Sequence, residues 1–167
     1  MKLPHAIATL LYGFNEQDEV LLMHRRRPPN EGLWSPPGGK LKADIGESPH
    51  ACACREAHEE LGMDLCPRDL RLTGIVSEHG YEGQRHWLMF LFEILPRLDR
   101  LPPAHDEGEF AFASREDLDR FAIPASDREC LWPAFWTHRG GFFAVHGRCR
   151  PDGPTVWTPE ESRPARE

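Results

Sequence analysis

Residues 38–63 read Gly38-Gly39-Lys40-Leu41-Lys42-Ala43-Asp44-Ile45-Gly46-Glu47-Ser48-Pro49-His50-Ala51-Cys52-Ala53-Cys54-Arg55-Glu56-Ala57-His58-Glu59-Glu60-Leu61-Gly62-Met63. The second half of this stretch predicts a helix. Ser48 suits its N-cap, Pro49 its first turn and Gly62 its C-terminal stop. On that helix Glu56, Glu59 and Glu60 stand at i, i+3 and i+4, within an arc of roughly 100°. Three like charges so placed repel one another and make a poor structural face. A divalent cation reverses the sign of that argument. Hard Mg²⁺ or Mn²⁺ prefers oxygen ligands and completes its shell with carboxylates and substrate phosphates. The stretch therefore reads as a metal site for phosphate chemistry.

The same residues resemble the signature of the Nudix hydrolases. That pattern runs glycine, glutamate, Arg-Glu, an apolar residue, Glu-Glu, glycine and an apolar residue at fixed spacing. Glu47, Arg55, Glu56, Ala57, Glu59, Glu60, Gly62 and Met63 all fall in register with it. One spacing departs from the pattern: residues 40–46 lie between Gly39 and Glu47, two more than the family has. The resemblance implies an α+β fold of the Nudix type, an α/β/α sandwich with a central mixed sheet and a loop–helix–loop metal site.

A length of 167 residues suits one domain with a real core, and the chain is read as a single domain over residues 1–167. Hydrophobic residues make up 40% and charged residues 28%, the balance of a soluble globular protein rather than a disordered one. A formal charge of −7 argues against a nucleic-acid polymer as partner, though not against a nucleotide whose phosphates meet cations locally. No apolar run approaches a membrane span, and Lys2, Pro4 and His5 lead into the first strand without a signal-type core. Five cysteines, an odd number with no C-x-x-C spacing, suit reduced thiols. A cytoplasmic monomer or homodimer is expected.

Residues 5–14 and 18–26 read as strands, and the polar turn between them suggests a hairpin. Residues 28–32 form a loop, and 33–39 an irregular approach to the signature. Ala51, Cys54, Ala57, His58 and Leu61 include the helix side expected to pack on a sheet. Residues 70–77 and 86–95 read as further strands, and 109–113 as a short one. A helix is expected over 125–137, kinked or interrupted by Pro133. Residues 142–146 and 155–157 read as a final hairpin, with a polar, frayed tail from about 159.

Nudix enzymes hydrolyse the phosphoanhydride of a nucleoside diphosphate linked to another group. The resemblance implies Mg²⁺ as cofactor, with Mn²⁺ as a substitute, and metal ligands among Glu56, Glu60, Glu59 and the Gly38 carbonyl. Glu47 is expected to support that site, and Arg55 to orient the glutamates through its planar fork of donors. The general base is sought either on the signature helix, where Glu56 and Glu59 stand, or on the turn Asp106-Glu107-Gly108-Glu109, where Glu107 is preferred. Arg25, Gly39 and Lys40 are candidate phosphate contacts.

Beyond the signature, residues 33–40 and the run Asp127-Arg128-Glu129-Cys130-Leu131-Trp132-Pro133 are similar to the MutT-like branch that clears oxidised purine triphosphates. That resemblance implies base recognition by Asp127, with Trp34 and Ser35 at the pocket. Arg128 stands where some members have a second aspartate, and Ser35 where many have asparagine. Trp34, Trp87 and Trp132 are candidates to stack on a base. The expected reaction is Mg²⁺-dependent hydrolysis of a nucleoside triphosphate, such as 8-oxo-dGTP, to monophosphate and pyrophosphate. That would be nucleotide-pool sanitation. The alternatives are an ADP-ribose or other nucleoside-diphosphate-sugar pyrophosphatase, and a Nudix module that binds a nucleotide without cleaving it.

Overall fold

Strand β1 (His5–Tyr12) divides the core by its alternation. Leu11 joins one apolar cluster and Tyr12 another on the opposite face. The computed structural model describes residues 2–166. In chain order the strands that follow are β2 (Val20–Arg25), β3 (Trp34–Ser35), β4 (Gly38–Lys40), β5 (Leu70–Tyr81) and β6 (Arg85–Ile94). Then come β7 (Gly108–Ala113), β8 (Phe142–Arg150) and β9 (Gly153–Arg163). Helix α1 (Pro49–Leu61) follows β4, and α2 (Trp132–His138) precedes β8.

A six-stranded mixed sheet runs β4-β1-β6-β5-β8-β9, and a three-stranded antiparallel sheet runs β3-β2-β7. β1 lies parallel to β6 and β5 parallel to β8; the other pairs of the large sheet are antiparallel. On one side Ala53, Ala57 and Leu61 of α1 pack on Leu11, Leu21, Met23, Phe92 and Ile94. On the other, Trp132 and Phe135 of α2 pack on Tyr12, Phe14, Val76 and Phe143. Tyr12 stacks on Phe135 at 4.1 Å between ring centres. Helices therefore cover both faces, as the α/β/α expectation requires.

Several expectations are corrected. β1 and β2 do not form a hairpin ladder. The chain turns back through Asn15, whose side chain accepts from the Gln17 and Glu19 amides, and a single bridge joins Phe14 to Val20. Both edges of β1 are taken by β4 and β6, so β2 is left to found the second sheet. The approach segment is less irregular than expected, because β3 and β4 lie within it. On α1, Ala51 and His58 face outward, and Cys52 and Ala53 take their places inside. The small residues at 53 and 57 set that phase by lying nearest the sheet. The helix expected over 125–137 widens to a π turn at Asp127–Leu131 before α2 begins. Pro133 has no N–H to continue the usual ladder, and the wider Trp132 N–H to Asp127 C=O bond precedes it. The final hairpin turns where expected, but β9 runs on to Arg163 in place of a frayed tail.

Among the described residues no helix is long and apolar enough to cross a membrane.

Candidate active site

Helix α1 starts and stops as its sequence dictates. Ser48 Oγ accepts from the Ala51 amide at 3.1 Å, and Gly62 closes the helix at φ 66°. β4 pairs with β1 (Gly38 opposite Leu10, Gly39 opposite Thr9), which lays the glycine pair against the helix. Glycine is needed at both places. A Cβ on Gly39 would sit 2.2 Å from a Glu56 carboxylate oxygen, and one on Gly38 2.0 Å from the Thr9 carbonyl oxygen. The two extra residues before Glu47 do not disturb this. Ala43–Ile45 form one 3-10 turn closed by Gly46 at φ 67°, and the Lys42 amide donates to Glu47 at 2.9 Å, pinching the excursion off at its base.

Arg55 organises the acidic residues. Its Nε and Nη2 bind the two oxygens of Glu47 at 2.7 and 2.9 Å, and Nη1 binds Glu56 at 2.7 Å. It also reaches Glu59 at 3.2 Å and the Lys40 carbonyl at 3.1 Å. The fork holds the Glu47 carboxyl down to about 2, well below its usual range. Glu47 is thereby committed to Arg55 and Lys42 and does not line the cleft.

Glu56 and Glu60 are buried, whereas Glu59 is exposed. Burial raises the Glu56 carboxyl against the pull of Arg55. Burial, the neighbouring Glu56 and the nearby Glu107 push Glu60 up to about 8, although the Gly38 amide donates to its Oε2 at 2.9 Å. The other oxygen of Glu60, Oε1, is buried with no partner. These residues form one wall of a cleft of about 570 Å³ that also holds Arg25, Gly38, Gly39, Lys40, Glu59, His105, Asp106 and Glu107. Arg26 steadies the opposite wall: its amide donates to the Glu107 carbonyl and its guanidinium to that of His105, both at 2.9 Å.

Among the described residues no three His, Cys, Asp or Glu side chains converge tightly enough to enclose a metal ion by themselves. The donor set nonetheless fits Mg²⁺. It offers hard carboxylate oxygens, two of the carboxyls buried and one with an oxygen lacking any partner, in a cleft open to phosphate and water. Mg²⁺ typically uses one or two carboxylates and takes the rest of its shell from substrate and solvent.

A second cleft shares Arg25 with the first. It is lined by Leu10, Pro29, Asn30, Ser35, Glu78, Tyr81, Trp87, Met89, Ser126 and Asp127 and encloses about 80 Å³. Through Pro29, Tyr81 and Trp87 it shares a wall with a further hollow of about 230 Å³ bounded by Lys40 and Arg85. Tyr81 donates to Asn30 Oδ1 at 3.0 Å across its mouth. Burial and the nearby Glu78 push Asp127 up to about 7, with Arg25 opposing. Trp34 lines neither cleft; it stacks on His24 and meets Phe121 edge-on. Trp132 is core, and Trp87 is the one of the three tryptophans in the second cleft. Sequence reasoning missed Glu78, Asn30 and Tyr81. Glu78 lies between Ser77 and His79 at the polar end of its strand and carried no local signal, and Asn30 and Tyr81 meet only through folding.

The NUDIX domain model matches residues 4–131. The chain belongs to the Nudix family. A Mycobacterium tuberculosis protein provisionally named 8-oxo-dGTP diphosphatase 2 is 31% identical over 134 residues, which is 78% of this chain and 89% of that protein. The MutT protein of Bacillus halodurans superposes with a TM-score of 0.70 at 23% identity, covering 93% of this chain and 97% of its own. The NUDIX domain of Shewanella oneidensis NrtR, solved with ADP ribose, reaches 0.62 at 15% identity over 80% and 87%. This Nudix hydrolase is thus MutT-like in fold.

Proposed function

We propose that this Nudix hydrolase cleaves an oxidised purine nucleoside triphosphate, with 8-oxo-dGTP as the leading substrate, to the monophosphate and pyrophosphate, and that it uses Mg²⁺. One observation carries the reading: Arg25 stands on the wall between the acidic cleft and the cleft of Asp127. A triphosphate in the first and its base in the second would share that guanidinium. The relative from Mycobacterium tuberculosis supports the choice of substrate.

Glu56 and Glu60 would hold Mg²⁺, with Glu59 at the exposed side and the Gly38 peptide against Glu60. When bound, the ion supplies charge neutralisation of the phosphates and a lowered pKa for attacking water. The chain's own residues do the rest. Arg55 fixes Glu56 and is itself fixed by Glu47, so the carboxylate is positioned before substrate arrives. Arg25 and Lys40 face the cleft as phosphate contacts. Glu107 faces Glu60 from the opposite wall and takes the proton from water. Asp127 and Ser35 read the base, against which Trp87 offers a ring face.

The test is hydrolysis of a nucleotide panel with Mg²⁺, resolving products by chromatography. Highest kcat/KM on 8-oxo-dGTP, with monophosphate and pyrophosphate released, is expected. Turnover of ADP-ribose or a dinucleoside polyphosphate with none of triphosphates would overturn the substrate assignment; affinity without turnover would favour a binding module.

A further inference from the structure

We infer that Glu78 is a specificity-determining residue of this enzyme: with Asp127 it makes a two-carboxyl floor that selects a guanine-type purine through the 6-oxo, N1–H and 2-amino edge. The inference rests on the proposed entry of the base into the second cleft and adds the residue and the edge that decide which base is held.

Glu78 sits on β5, in register with Trp87 of β6, and both side chains line the cleft. It is 3% exposed, and its Oε1 has no hydrogen-bond partner. A buried carboxyl oxygen left without a partner is a cost to the fold, and an apolar residue of similar size is generally no worse there. Nothing in the packing of β5 asks for it: its face-mate Val76 belongs to the core cluster. The Ser126 hydroxyl eases Glu78 only in part, and burial holds its carboxyl up to about 7.

Asp127 faces it from the π turn before α2 and is 7% exposed. The two carboxyls repel, so the pair favours one shared proton. The charge of Arg25, which lines the same cleft, opposes protonation of Asp127, and in the proposed pair Glu78 carries the proton. A carboxylate and a carboxylic acid side by side offer the two carboxylate oxygens as acceptors and one O–H donor, beside the acid's own carbonyl oxygen. A guanine-type edge answers both: N1–H and the 2-amino group donate to the Asp127 carboxylate, and the 6-oxo group accepts from Glu78. Hypoxanthine lacks the 2-amino donor. Adenine offers one donor and one acceptor on this edge and leaves an oxygen of the pair unmatched.

The experiment is calorimetric titration of the full chain with dGMP, dIMP and dAMP, on the wild type, Glu78→Leu, Glu78→Gln and Asp127→Asn. Thermal denaturation of each variant and steady-state kinetics on dGTP and 8-oxo-dGTP accompany it. Wild type should bind dGMP most tightly, dIMP several-fold more weakly and dAMP at least tenfold more weakly. Glu78→Leu should fold with an unchanged or raised Tm, bind dGMP at least tenfold more weakly, and raise KM while kcat stays within threefold. Glu78→Gln keeps an N–H donor for the 6-oxo group and should stay within threefold of wild type in dGMP affinity. Unaltered dGMP affinity in Glu78→Leu, with affinity lost in Asp127→Asn, would overturn this inference and leave the proposed function standing. So would equal losses for all three nucleotides, a parallel fall in kcat, or failure of Glu78→Leu to fold. No affinity of the wild type for any of them would overturn both readings.

Discussion

Replacing Glu60 by glutamine should make the metal-free protein more stable while destroying its activity. The carboxyl is pushed to about 8 in the folded chain, against 4.5 for an ordinary glutamate, by burial and by the charges of Glu56 and Glu107. The sign follows from proton counting. Between pH 4.5 and about 8 the unfolded chain has lost the proton and the folded chain keeps it, so stability falls as pH rises. Each pH unit is worth about 1.4 kcal/mol, so the penalty at pH 7 is on the order of 3 kcal/mol. Glutamine carries no such penalty. It still accepts from the Gly38 amide, and its NH₂ can donate where Glu60 Oε1 has no partner. Urea denaturation in EDTA, at pH 5, 6, 7 and 8, reads the difference. Glu60→Gln should gain on wild type by about 1.4 kcal/mol per pH unit up to pH 8. Millimolar Mg²⁺ should then stabilise wild type and leave the variant unmoved, and kcat of the variant should fall by about 100-fold or more. A flat or inverted stability difference across that range would refute the reasoning, because Glu60 would then be content without a cation.

Glu107→Gln should lower kcat about tenfold or more and leave the Mg²⁺ dependence of KM nearly unchanged; an unaltered rate would return the base to the signature helix. Gly39→Ala places a methyl 2.2 Å from the Glu56 carboxylate, so the Mg²⁺ concentration for half-maximal rate should rise at least tenfold, read by metal titration of the rate. Arg55→Lys keeps the charge and loses the fork, so it should release Glu47 from its hold near 2 and lower kcat about tenfold. A carboxyl titration by NMR that left Glu47 unmoved in this variant would contradict the assigned cause.

Residues 38–63 carried the family, the helix and its caps in plain text, because each of those features is local: a cap, a spacing or a stop is written within a few residues. The β1–β2 hairpin failed for the complementary reason. Two strands joined by a tight polar turn look like partners until other strands claim both edges of the first, and that competition is settled by β4 and β6, far along the chain. The burial of Glu56 and Glu60 beside an exposed Glu59 was likewise invisible, since the helical arc holds all three and only the glycine pair of β4 decides which side is covered. Trp34 was misplaced because an aromatic beside a binding segment has two faces to choose from, and β3 turned it onto His24. Glu78 was not legible at all, because it falls just past the expected strand 70–77 among polar neighbours, and its significance needed Asp127, which reaches it only through the fold.

Among the described residues three buried carboxyls have an oxygen without a partner: Glu60, Glu78 and Glu93. They are not alike. The other oxygen of Glu93 takes Arg139 at 2.8 Å, Arg71 lies 3.6 Å away, and Arg139 is itself bound to Asp18. That charge is matched within the protein. Glu60 and Glu78 have no cation on them. One lines the acidic cleft and the other the cleft of Asp127, and Arg25 lines both. Unmatched burial is disfavoured wherever it occurs. Its occurrence at these two places, and its correction at Glu93, separates carboxyls that serve the fold from carboxyls that the fold merely tolerates. A nucleotide with its cation would satisfy both at once: positive charge at Glu60, and hydrogen-bonding groups of a base at Glu78.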